Sequence, residues 1–161
     1  MRRMLLLSLV SAALVAGGGL ALAQHHGHHD HTGHGEHATD TRVLVKFPPE
    51  LVEHTLANMR DHLQALQDIN DALARGQNDK AARIAEERLG MTSLRLHGAH
   101  EVARYMPQGM QDAGTAMHRA ASRFAIEAQN AAVTDDLKPA LAVLGDVMGA
   151  CVGCHAGYRL K

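Results

Sequence analysis

Aromatic side chains are almost missing from this chain: tryptophan is absent, and phenylalanine and tyrosine occur only twice each in 161 residues. A core without aromatics must be assembled from Leu, Ala, Met, Ile and Val, a set that favours helices over strands. A large flat cofactor is one way to supply the missing bulk. An excess of either charge is also missing, since 16 basic residues face 17 acidic ones. That balance argues against bulk electrostatic capture of nucleic acid or of an anionic membrane. No alternating strand pattern stands out after the first 46 residues. No carboxylate pair, nucleophile arrangement or phosphate loop stands out either, so catalysis is not expected. Cysteine is limited to two residues, both close to the C-terminus.

What is present divides the chain into three parts. Arg2 and Arg3 open it, an apolar run from Met4 to Val15 follows, and Ala21-Leu22-Ala23 ends the segment before Gln24. This is the layout of a secretory signal peptide over residues 1–23, so the expected location is the periplasm, after cleavage. Gly17, Gly18 and Gly19 just after the run and the lack of a basic stop predict no stable membrane insertion once the segment is removed. Residues 24–46 hold a histidine-rich tract and a short lead-in. Seven of the thirteen histidines lie in the tract: His25, His26, His28, His29, His31, His34 and His37. It has no large apolar residue with which to offset chain entropy, so disorder is expected. Such tracts can hold copper, zinc or nickel, or serve only as a soluble leader. Residues 47–161 form the remaining domain.

Within that domain the apolar residues recur at helical spacing. Helix A is expected from Pro49 to Arg75, on the stripe Val52, Leu56, Met59, Leu63, Leu66, Ile69 and Leu73, with Gly76 as its stop. Helix B is expected from an Asn78 cap to Pro107, with Gly90 as a weak point. Helix C runs from Gln108 to Ala132, and its many alanines allow close approach of another helix or a flat ligand. Helix D begins near Asp135 or Asp136, with Leu137, Leu141, Leu144, Met148, Cys151 and His155 on or near one face. Four amphipathic helices with short connections predict an all-α fold, an antiparallel four-helix bundle.

Both cysteines belong to Cys151-Val152-Gly153-Cys154-His155. C-x-x-C followed at once by His is the attachment signature of c-type haem. Two thiols must reach two vinyl groups of one porphyrin, and an imidazole must meet the iron from the same side. Cys151 and Cys154 are therefore expected to form thioethers, and His155 to be the proximal ligand of one covalently bound haem c. A redox dithiol would be expected after a strand, and a zinc site would need further cysteine ligands.

The stretch from Gly145 through CVGCH to Ala156-Gly157-Tyr158-Arg159 resembles the class II c-type cytochromes, the cytochrome c-prime-like family. The resemblance implies a four-helix bundle with haem near the end of the last helix. It also implies that Arg159 lies near the proximal histidine and tunes it. A residue of helix A would cover the other face of the iron. Leu56 and Met59 are the candidates there, with core packing as the alternative role for Met59. Met59 on the iron implies electron transfer with redox partner proteins; Leu56 over it implies an open site for nitric oxide or carbon monoxide. A homodimer through helices A and B is a further implication. A metal-binding protein working through the histidine tract is the remaining reading. Met117 is expected in the core, His118 at the surface or hydrogen-bonded, and His54, His62, His97 and His100 in solvent.

Overall fold

The computed structural model describes residues 39–160. The expected signal peptide and the histidines of the tract lie outside the described residues. Among these residues the fold is all-α, with one small strand pairing. The helices are α1 (Pro49–Ala74), α2 (Asn78–Arg88), α3 (Ala99–Ala103), α4 (Gln108–Thr134) and α5 (Lys138–Gly157). A 3₁₀ segment, Met91–Arg95, lies between α2 and α3.

The helix ends follow local chemistry. Pro49 opens α1, where its missing amide costs nothing. Gly76 closes it with a left-handed φ of 67°, a backbone state that penalises any side chain. The Gln77 amide then reaches back to the Ala72 carbonyl at 2.9 Å. Asn78 is the first residue of α2 and not its cap.

The long helix B expected to run to Pro107 is not formed. It breaks at Gly90, and the reason is local. A Cβ at Gly90 would stand 2.8 Å from the Glu86 backbone, so only glycine permits this turn. Side chains then take over the freed backbone groups. Thr92 Oγ1 donates to the Glu86 carbonyl at 2.8 Å, and Ser93 Oγ donates to Gly90 at 2.7 Å. The Met91 amide donates to Ser122 Oγ of α4 at 3.0 Å, which anchors the break to its neighbour.

Helix α4 is the centre of the packing. It lies against α2 and α5, and α2 lies in turn against α1. The shared core joins Ile69 of α1, Leu89 just after α2, Phe124 of α4, and Leu144 and Val147 of α5. Alanines such as Ala65, Ala85, Ala121 and Ala128 fill the seams between them, and their short side chains let the helices approach closely. Arg88 ties α2 to α1 by pairing with Asp61 and with Asp68, the latter at 2.7 Å.

The inner faces differ in part from the sequence stripes. Leu63 is 70% exposed, and Leu141 and Met148 are outside as well. Helix α5 turns Ala140, Leu144 and Val147 inward instead. By length and composition alone α5 could cross a membrane; here that inward face is part of the core.

The two ends of the described chain meet. Strand β1 (Val43–Leu44) pairs in parallel with β2 (Tyr158–Arg159), Val43 opposite Tyr158. The Val45 amide extends the pairing to the Arg159 carbonyl at 2.8 Å. The lead-in is thereby laid beside the residues that follow CVGCH.

Candidate functional site

Cys151, Cys154 and His155 lie in the last turns of α5. Positions i, i+3 and i+4 of a helix share one side, so the motif presents both thiols and the imidazole together. Cys154 and His155 line a cleft of about 240 Å³. Leu56 and Met59 of α1 line the same cleft, as does Met110 of α4. Arg42, Tyr158, Arg159 and Leu160 close it from the paired chain ends. The cleft exists because α1 and α5 are not a closely packed pair.

Four of the five residues expected at the site, Cys154, His155, Met59 and Arg159, thus share one cavity. Cys151 stands one turn back. Its thiol donates to the Val147 carbonyl at 3.4 Å, and the side chain packs against the core edge. The two cysteines are free thiols. Burial pushes the Cys151 thiol up; burial, and then the neighbouring Cys151, push Cys154 up. Both also lie at the negative end of the helix dipole, which disfavours a thiolate further. Reactive redox dithiols have lowered thiol pKa values, so this environment opposes that reading.

The charged wall of the cleft holds a residue that the sequence did not point to. Arg42 reaches the His155 carbonyl at 3.4 Å. It also grips Asp40, whose carboxyl is held down at about 2, chiefly by hydrogen bonds from the Arg42 side chain and backbone. Arg159 Nε stands 3.3 Å from Asp40 Oδ2 but without hydrogen-bond geometry, which leaves that buried N–H free of an acceptor. Two guanidinium groups distant in sequence therefore border the cleft. Nothing local marks Arg42, because only the β1–β2 pairing brings it there.

No protein-family model matches the chain, and no match is found among curated proteins or among solved structures. What the site can do must be read from its own residues.

The remaining histidines correct the sequence reading in part. His100 is exposed, as expected. His54, His62 and His97 are half-buried instead of solvated. His118 is buried and hydrogen-bonded, not at the surface; its Nδ1 stands 2.7 Å from the Leu89 carbonyl. His62, His97 and His118 gather in one place, with ring centres 4.6, 5.7 and 6.0 Å apart. They come from α1, from the segment before α3, and from α4, so no sequence spacing could reveal them. Met117 is in the core, as expected.

The cluster makes stability depend on pH. Burial, and then the His97 and His118 rings, depress His62 from 6.5 to about 4; Asp61 opposes the shift and Arg88 adds to it. Above pH 6.5 the ring is neutral in both folded and unfolded chains and contributes no difference. As pH falls from 6.5 towards 4 the unfolded chain takes up the proton first, so stability is lost across that window. Urea unfolding at pH 7.5 and pH 4, with chelator present, should show His62→Gln losing about 2–3 kcal/mol less than the parent chain. An equal loss in both chains would show that His62 is not the responsible group.

Proposed function

We propose that this chain is a periplasmic mono-haem c-type cytochrome of the class II kind, working in one-electron transfer between redox proteins. In this reading α1, α2, α4 and α5 form an antiparallel four-helix bundle. The observation that carries it is the shared cleft, lined by Cys154 and His155 of α5 together with Leu56 and Met59 of α1. Cys151 and Cys154 hold the haem through thioethers, and His155 is the proximal ligand. Haem iron supplies a one-electron ferric–ferrous couple. Met59 would offer the group a soft sulfur, and Leu56 and Met110 would give it apolar surroundings. Arg42 and Arg159 add positive charge to the cleft lining, part of it offset by Asp40.

The cleft, at about 240 Å³, is smaller than the ~300–1,000 Å³ of pockets that enclose drug-sized ligands. A porphyrin would therefore not be enclosed by the cleft alone. Export through the leading segment, and copper, zinc or nickel on the histidine tract, belong to the same proposal.

A second reading has its own observation. Leu56 lines the same wall as Met59, and if Leu56 covers the iron the site binds nitric oxide or carbon monoxide. One spectrum separates the two. The chain, made in a host that attaches c-type haem, should show a sharp reduced α-band that carbon monoxide does not shift. Met59→Ala should convert it to a high-spin form that carbon monoxide does shift. A parent protein already high-spin and responsive to carbon monoxide would remove Met59 as a ligand and establish the second reading.

A further inference from the structure

The three-histidine cluster stands apart from the cleft; none of its members lines that cavity. His62 Nε2 and His97 Nδ1 face each other at 3.3 Å. Two nitrogens bound to one tetrahedral zinc at 2.0–2.1 Å stand about 3.3–3.4 Å apart, so this pair is already at bite distance. Three imidazoles around such an ion would place their ring centres roughly 5 Å apart, and the observed 4.6, 5.7 and 6.0 Å fall around that value. His118 Nδ1 is engaged by the Leu89 carbonyl at 2.7 Å. A proton on Nδ1 leaves Nε2 as the lone-pair nitrogen, the second-shell arrangement that ligating histidines commonly use.

We propose that His62, His97 and His118 form a binding site for one divalent transition-metal ion of the imidazole-preferring kind, such as Zn²⁺. Among the described residues no three donors yet surround a common point; binding draws the His118 ring in towards the His62–His97 pair. Burial is the first cause lowering all three pKa values, the direction that favours a neutral ring. Asp61 acts on both His62 and His97, and it supplies a negative neighbour to offset the ion's charge. The opposing Arg88 guanidinium is already paired with Asp61 and Asp68. His54 is taken up by Asn58 and the His97 carbonyl, so a water completes the coordination. The ion would staple the irregular stretch after Gly90 to α1 and α4. Imidazole sites of this type suit zinc, copper or nickel.

The test uses the full chain with the seven tract histidines changed to glutamine, so that the leader contributes no imidazole. Zinc alone is titrated against a chromophoric chelator. His62→Gln and His97→Gln should each weaken one equivalent of zinc by roughly 100-fold or more, while exposed His100→Gln should leave it unchanged. Zinc held by Cys151 and Cys154 would be untouched by these changes and is thereby told apart, whether or not haem is present. X-ray absorption of the zinc-loaded parent should count three imidazoles, which includes His118 without a variant that could unfold the core. No zinc equivalent sensitive to His62 and His97, an equal loss in His100→Gln, or fewer than three imidazoles would overturn the proposal.

Discussion

A chain carrying both Cys151→Ala and Cys154→Ala is expected to lose all covalently held haem while keeping its helices. Each thioether uses one sulfur on one vinyl group, so a single cysteine still allows partial attachment, and no other cysteine can substitute when both are gone. The fold should survive the change. Cys154 is half-buried at the cleft wall, and Cys151 touches only the edge of the core. Removing one half-buried sulfur costs on the order of 1 kcal/mol, well below the 5–15 kcal/mol of a typical domain. The measurement is intact mass after acid denaturation, beside far-UV circular dichroism. The parent should carry one haem mass through denaturation, each single variant should carry less, and the double variant none. A parent without added mass, made in a competent host, would leave the cysteines as plain thiols and end the cytochrome reading. A double variant that still carries the mass would show attachment elsewhere.

Phe124→Ala should be the most damaging single substitution in the core, by about 3–5 kcal/mol. Phe124 is 0% exposed and is the largest fully buried side chain. It sits in α4, the helix that contacts both α2 and α5. The core cluster it belongs to is rich in alanines, such as Ala85, Ala121 and Ala128. Their side chains are too short to reach into the space left behind, so the cavity would collapse little. The loss therefore combines the transfer term with a cavity term. Urea unfolding of parent and variant should show a lower midpoint with an unchanged slope. Phe124→Leu, which keeps much of the volume, should cost well under half as much. A variant with an unchanged midpoint would mean that the ring is not enclosed as described.

The sequence carried the parts of this protein that depend on near neighbours along the chain. Apolar spacing marked α1 and α4 almost to their ends, because 3.6-residue periodicity and helix-stopping residues such as Gly76 and Pro107 are local signals. The scarcity of aromatics pointed to an all-α core, and the single Phe124 at its centre agrees with that. CVGCH placed two thiols and an imidazole on one helical side before any packing was known. Arrangements that depend on distant residues were decided by the tertiary structure. Which wall would face His155 could not be read from the stripe of α1; both Leu56 and Met59 proved to line the cleft. Leu63 and Met148 matched their stripes and are exposed, because periodicity identifies a face and not what covers it. The break at Gly90 was visible only as a weak point, since Thr92, Ser93 and Ser122 had to be brought close to make it a turn. Arg42 entered the site through a parallel pairing of the two chain ends, and three histidines from separate segments met in one cluster. Local chemistry determined the helices and the motif, whereas the close packing of alanine seams around α4 decided which distant side chains share a cavity.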